Sequence, residues 1–238
     1  MRLLFLFLSL CVCAEKSNAD TLTVLVDSSA DMPFAKLEED HVRGGIQFDL
    51  NRMMAHRLGH ALHLKAVPRR RIGLLLREGQ ADWSCALLPE WLADPVDWTQ
   101  AFLPHAGVVL ARADAPMPKT LADLAGEPVG TIRGYVYPEL EQALGRAFVR
   151  EDAPNASAVL RMLELGRMSY ASVNLQYLDY HRSLGRPALR LHPYLMLRAY
   201  ETRCAVSRHS KVSAAQLDKV IDSMRADGSL KAIQDRYR

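Results

Sequence analysis

The chain has 238 residues, of which 49% are hydrophobic and 24% are charged, a composition that excludes an intrinsically disordered protein. Its 30 Lys and Arg exceed its 27 Asp and Glu only slightly, giving a net charge of +3. An excess of this size does not indicate nucleic-acid binding without a basic recognition motif, and the sequence has none. It also lacks a Gly-rich phosphate loop and a nucleophile elbow, so no cofactor is predicted.

The N-terminus has the three parts of a secretory signal peptide. They are the positively charged Arg2, an apolar run that ends at Cys13, and small residues up to Ala19. Because the apolar run is short for a bilayer span, we expect cleavage of residues 1–19 and a mature N-terminus at Asp20. A retained membrane anchor is the alternative.

Two cysteines remain after this cleavage, Cys85 and Cys204. Export would place them in an oxidising compartment, where they can form a disulfide. Both lie in strand-like runs, so two buried, unpaired thiols are the alternative.

The first part of the mature chain alternates strands and helices. A strand over 21–26 is followed by a polar loop over 27–34, and apolar residues at helical spacing predict a helix within 44–59. The next predicted elements are a strand over 62–67, a helix from 68 to 79 and a strand over 81–87. This βαβαβ pattern is typical of a parallel sheet with helices on both faces.

The second part repeats the pattern after an extended run over 98–112 and a capped turn over 119–126. Strands are predicted over 129–132, 147–150 and 169–173, with helices starting near Pro138 and after Asn155. A strand over 201–207 and helices over 213–228 and 229–237 end the chain. The sequence therefore predicts an α/β protein that builds a similar lobe twice.

Five segments resemble, in the same order, motifs of the family 3 extracytoplasmic solute-binding proteins, the amino-acid type of ABC transporter receptor. They are GIQFDL (45–50), LLLREGQADW (74–83), VDWTQAF (96–102), LADLAGEPVG (121–130) and RADGSL (225–230). The resemblance implies a two-lobed periplasmic binding protein of type II. Each lobe would be a mostly parallel sheet flanked by helices, and two hinge crossings would join the lobes.

The resemblance also implies a domain division and a function. The first lobe would consist of residues 20–109 and 202–238, and the second of residues 110–201. The protein would be a periplasmic, monomeric, non-enzymatic receptor that captures a small polar or anionic solute and delivers it to the membrane permease of an ABC transporter. A dehydratase-like enzyme on the same scaffold and a ligand sensor without a transporter are the alternatives.

The site implied by the resemblance departs from that of the amino-acid receptors. Arg69 stands where an aromatic residue is usual, and Asn174 stands where an acid holds the ligand's α-ammonium. Because a buried charge without a partner is costly, we expect organic acids or amino-acid derivatives lacking a free α-ammonium to bind better than standard amino acids. The predicted ligand-binding residues are Asp31, Phe34, Arg69, Ala86, Leu87, Trp91, Arg133, Tyr135 and Asn174.

Alternatives remain open for several of these residues. The basic run that begins at Arg69 can instead be a solvated helix start, and Asn174 can be the N-cap of a helix. Asp31 or Glu90 could act as a general acid or base in an enzyme, but neither has a visible partner in the sequence that would tune its pKa. His56, His60 and His63 have metal-like spacing, yet Gly59 ends their helix, so exposed histidines around a turn are preferred and no metal site is predicted.

Overall fold

The computed structural model describes residues 20–39, 41–185 and 189–237. The predicted signal peptide lies outside these ranges. Within them, no helix has the length and hydrophobicity of a membrane span.

The described residues form eleven strands and seven α-helices, numbered in chain order. The first half contains β1 (Thr21–Asp27), β2 (Lys36–Glu38), β3 (His41–Gly44), α1 (Ile46–Arg57), β4 (Ala61–Val67), α2 (Ile72–Arg77), β5 (Trp83–Leu87), β6 (Asp97–Trp98) and β7 (Leu103–Ala111). The second half contains β8 (Pro128–Ile132), α3 (Pro138–Leu144), β9 (Val149–Ala153), α4 (Ala156–Glu164), β10 (Tyr170–Asn174), α5 (Leu175–Ser183), β11 (Leu195–Val206), α6 (Ala214–Ala226) and α7 (Ser229–Asp235).

The first lobe is built on parallel strands in the order β4, β1, β5, to which the end of β11 adds in the antiparallel direction. Successive residues of β1 point to opposite faces of the sheet. Val24 packs with the helices α1, α6 and α7, whereas Leu25 packs with α2. Both faces of this sheet are therefore covered.

The second lobe is built on β9, β8 and β10, which are parallel, and on β7, which runs antiparallel to β10. Alternation in β7 places Val108 with α4 and α5 and Val109 with α3. The predicted two-lobed α/β fold is thus confirmed.

Two neighbouring strands connect the lobes. β7 pairs along Leu195–Thr202 of β11, and the rest of β11 continues into the first sheet beside β5. The predicted lobe boundaries, between 109 and 110 and between 201 and 202, fall inside these two strands and stay predictions. β11 also begins earlier than the strand predicted over 201–207.

Two features go beyond what the sequence predicted. The hairpin of β2 and β3 lies in a stretch for which no strand was predicted. Cys85 on β5 and Cys204 on β11 form a disulfide, which settles the alternatives left open by the sequence.

Candidate ligand-binding cleft

A cavity of about 150 Å³ lies between the two lobes and is lined by both. The first lobe contributes the loop after β1 and the turn after β4, and the second contributes the loop after β8 and the end of β10. These are carboxyl ends of strands, where open α/β sheets bind their ligands. The cavity is smaller than the range of about 300–1,000 Å³ common for drug-sized ligands, so it suits a small solute.

The structure brings most of the predicted site residues together. The cavity lining includes Asp31, Phe34, Arg69, Ala86, Trp91, Tyr135 and Asn174. Leu87 and Arg133 are not part of it, because Leu87 is buried in the core beside α2 and Arg133 is exposed. Ligand contact by each of these residues stays a prediction.

Phe34 is held in place by the start of α1. The backbone N–H groups of Ile46 and Gln47 donate to the carbonyl oxygens of Pro33 and Phe34 at 2.8 and 2.9 Å. Gly45 has a φ of 96°, and a Cβ at this position would lie 2.7 Å from the Phe34 carbonyl oxygen. Only glycine permits this approach, which explains the second glycine of the Gly44-Gly45 pair.

Arg69 crosses the cleft from the first lobe to the second. Its guanidinium carbon lies 5.2 Å from the Trp91 ring centroid and 5.0 Å from that of Tyr135, within the range of cation–π attraction. Its Nη1 also lies 3.7 Å from Oδ2 of Asp27, and the Arg69 side chain is only 14% exposed. The positive charge predicted to attract an anion is therefore already compensated by Asp27.

Asp27 is a buried carboxylate that the sequence analysis did not single out. Its Oδ1 accepts hydrogen bonds from the backbone N–H and the hydroxyl of Ser29 at 2.9 and 2.7 Å. Its Oδ2 has no hydrogen-bond partner among the described residues. Burial, reinforced by the Asp27 charge, raises the pKa of the Tyr135 hydroxyl, so this hydroxyl stays protonated. Sequence reasoning could have found Asp27, because it is a polar residue at the carboxyl end of a parallel strand, where open α/β sheets bind their ligands.

His105 occupies the centre of an aromatic stack. It lies on β7 directly opposite Tyr200 of β11. Its ring stacks on Phe34 at 5.0 Å and on Tyr200 at 5.9 Å between centroids, with interplanar angles of 12° and 15°. Burial and then the nearby charge of Arg69 lower the pKa of His105 from 6.5 to about 3, so the imidazole is neutral at ordinary pH.

Asn174 links this stack to the second lobe. Its Oδ1 accepts from the backbone N–H of Gln176 at 2.9 Å, so the N-cap predicted as an alternative is confirmed. Its Nδ2 lies 2.9 Å from Nδ1 of His105. The other ring nitrogen, Nε2, is buried and has no hydrogen-bond partner among the described residues. A buried donor in this state costs about 1–3 kcal/mol.

His105 and Tyr200 escaped sequence reasoning because both lie on long extended runs without a periodic pattern. The available signal was weak: a histidine inside an apolar strand. Strand register is what brings His105 to the cleft. On β7, His105 pairs with Tyr200, and Gly107, two residues further along, pairs with Asn174.

Direct polar contacts also join the lobes around the cavity. The backbone N–H of Ser157 on α4 donates to Oδ2 of Asp31 at 2.9 Å. Arg198 on β11 lies 3.0 Å from Glu90 and 3.5 Å from Glu139. Both carboxylates considered as general acids, Asp31 and Glu90, are thus engaged in holding the lobes together.

The arrangement suits reversible binding of a small polar molecule. Aromatic rings form its walls, and two buried polar atoms, Oδ2 of Asp27 and Nε2 of His105, have no hydrogen-bond partner in the described part of the chain. Among residues 20–39, 41–185 and 189–237, no group of three His, Cys, Asp or Glu side chains is arranged to hold a metal ion.

Comparison with known proteins places these features in a family. The model of the bacterial extracellular solute-binding proteins, family 3, matches residues 22–238. No curated protein sequence matches the chain.

Solved structures share the fold at low sequence identity. An ancestral arginine-binding protein bound to arginine is 20% identical with a TM-score of 0.76, over 91% of this chain and 97% of that one. The ancestral amino-acid-binding protein AncCDT-1, a precursor of cyclohexadienyl dehydratase, is 16% identical with a TM-score of 0.75, over 91% and 95%. A periplasmic binding protein of Salmonella typhimurium with high arginine specificity is 17% identical with a TM-score of 0.72, over 92% and 99%. Because the family model spans residues 22–238 of the 238-residue chain, the protein belongs to the bacterial extracellular solute-binding proteins, family 3.

Proposed function

We propose that the protein captures one small polar solute in the periplasm by closing its two lobes on it, and delivers the solute to the permease of an ABC transporter. The observation that carries this proposal is the cavity between the lobes, in which Asp27 and His105 each present a buried polar atom that no described residue hydrogen-bonds. A solute that contacts both lobes stabilises the closed arrangement by its differential affinity for it.

The charges of the cleft favour a solute with both hydrogen-bond donors and acceptors. Asp27 compensates Arg69, so a simple anion would meet no free positive charge at that point. A donor group of the solute would satisfy Oδ2 of Asp27, and an acceptor would satisfy Nε2 of His105. Small amino-acid-like molecules carry both kinds of group, as do the amino acids bound by proteins of the same fold.

A thermal-shift screen of amino acids, their amides and small organic acids tests the proposal. We expect one class of compound to raise the melting temperature in a concentration-dependent way. At a solute concentration of a hundred times the dissociation constant, binding should add about 2.7 kcal/mol to the free energy of unfolding. Small-angle scattering should show that saturating solute reduces the radius of gyration, and the decrease should be larger in Glu90→Gln, which weakens the contact of Glu90 with Arg198. If no compound shifts the melting temperature of either protein, the proposal is wrong.

Chromatography of the solute recovered after incubation separates binding from catalysis. A binding protein returns the solute unchanged, whereas a dehydratase-like enzyme returns a product. Conversion of the solute would replace this proposal with an enzymatic one.

A further inference from the structure

The amide of Asn174 has only one orientation that serves the helix it begins. The N-cap position of α5 requires an acceptor for the free backbone N–H groups of the first turn. Oδ1 fills this role for Gln176 at 2.9 Å. The amide nitrogen Nδ2 is therefore the atom that faces His105 at 2.9 Å.

That orientation determines which nitrogen of His105 carries its proton. An amide nitrogen can only donate, so Nδ1 of His105 must accept through a lone pair. In a neutral imidazole the proton then resides on Nε2. Burial between Phe34 and Tyr200, together with the charge of Arg69, opposes a second proton on this ring.

The resulting Nε2–H group is buried and has no acceptor among the described residues. His105 is only 9% exposed, and it lines the cavity. Within the proposed solute-binding function, we infer that Asn174 fixes the Nε2–H tautomer of His105 and that this N–H is the subsite for a carbonyl or carboxylate oxygen of the solute. Oδ2 of Asp27 lines the same cavity, where it faces Arg69 at 3.7 Å but accepts no hydrogen bond from any described residue, and it receives an N–H or O–H of that solute. The solute class is thus a small molecule with a carbonyl or carboxyl oxygen and a separate hydrogen-bond donor.

Asn174→Asp is a matched variant for testing this role. Aspartate serves as an N-cap as well as asparagine does, so α5 keeps its start. A carboxylate cannot donate, however, so Nδ1 of His105 must take a proton in this variant. The ring then either presents a bare acceptor at Nε2 or becomes a cation. Asn174→Ser is the control. Serine keeps an N-cap for α5 and removes the contact with His105, but it does not place a carboxylate acceptor opposite Nδ1.

Long-range proton–nitrogen NMR of protein labelled with ¹⁵N-histidine, without solute, reads the tautomer directly. For wild type we expect a protonated Nε2 and an unprotonated Nδ1 of His105 throughout the neutral pH range. For Asn174→Asp we expect a protonated Nδ1. A wild-type His105 with its proton on Nδ1, or the same tautomer in both proteins, would overturn the inference.

Acetamide, which has one carbonyl acceptor and an amide donor, serves as the probe of the subsite. In wild type, excess acetamide should shift the Nε2 resonance of His105, and the shift should be lost in Asn174→Asp. The dissociation constant of any solute found by the screen should rise at least tenfold in Asn174→Asp but much less in Asn174→Ser. An Nε2 resonance that does not respond to acetamide sinks the subsite. A screen without a binding solute, alongside the expected tautomer and acetamide response, would instead count against the transport function.

Discussion

Two concave regions of the molecule, the cavity between the lobes and a groove on the first lobe, carry histidines and charge, but they differ in whether their polar atoms are buried without hydrogen-bond partners. The cavity between the lobes has a volume of about 150 Å³. An open groove formed by β3, α1 and β4, about 470 Å³ in volume, is called the histidine groove here. Its lining is His41, Val42, Arg43, Phe48, Arg52, Ala55, His56, His60, Leu62, His63 and Leu64.

The histidine groove is larger and richer in basic side chains, yet the features of a binding site lie in the cavity. His41, His56 and His63 are exposed, so water can satisfy their ring nitrogens. In the cavity, Asp27 and His105 are buried, and each has one polar atom that makes no hydrogen bond within residues 20–39, 41–185 and 189–237. Volume and charge therefore locate a ligand site less well than buried, unsatisfied polar atoms, because only the latter carry a free-energy cost that a ligand can relieve.

Among changes at the cavity, removing the disulfide should have the largest effect on stability, because the bond joins β5 to β11. Cys85 itself lines the cavity. The bond closes a loop with a sequence separation of 119 residues. We expect Cys85→Ala/Cys204→Ala to lower the free energy of unfolding by about 4 kcal/mol, measured by urea denaturation. Equal stability of the variant and of wild type under oxidising conditions would mean that the bond does not constrain the chain.

Arg69→Ala should have the next largest effect, since it leaves the buried carboxylate of Asp27 without its ion-pair partner. We expect a loss of about 3 kcal/mol in the stability of the closed arrangement, seen as an increased radius of gyration in scattering. The double variant Asp27→Asn/Arg69→Ala should recover most of this loss because no charge remains buried. A closed shape for Arg69→Ala alone would contradict the pairing.

The pH dependence of stability should distinguish His105 from the histidines of the groove. The pKa of His105 is about 3 in the folded protein and 6.5 in the reference state, so the unfolded chain binds more protons between these values. Stability should therefore fall as the pH drops below 6.5, by about 2 kcal/mol at pH 5.

Urea titrations of His105→Gln should lack this decrease, whereas the control His63→Ala should retain it. If His105→Gln keeps the wild-type slope, His105 is not the buried neutral histidine that the cavity requires.

Substitutions in the histidine groove should have the smallest effect. We expect His56→Ala and His63→Ala each to change the free energy of unfolding by less than about 0.5 kcal/mol, because both side chains are exposed. Binding of a solute to the cavity, measured by calorimetry, should also stay unchanged. A large loss of binding in either variant would transfer the functional role to the groove.

Some cleft residues could be predicted from sequence and others could not. The difference depends on whether neighbouring residues in the chain indicate the position of the side chain. Phe34, Arg69 and Tyr135 lie on short loops at strand ends, where sequence pattern and family motifs both point to ligand contact. His105 and Tyr200 lie on crossing strands, and nothing in their neighbouring residues indicates which face turns to the cavity. Leu87 was predicted for the site because, with Ala86, it stands where the family has a polar run. The positive φ of 61° at Ala86 interrupts strand alternation, and Leu87 packs in the core beside α2 instead of on the face of Cys85.

The sequence by itself determined the two-lobed α/β fold, most helix and strand positions and the family. These follow from periodicity, caps and ordered motifs, which act over a few residues. Only the tertiary structure decided that Cys85 pairs with Cys204, that Asp27 neutralises Arg69, and that Asn174 bonds His105. Each of these pairs joins separate strands or turns, so its energy depends on sheet register and burial, which no local stretch of sequence specifies.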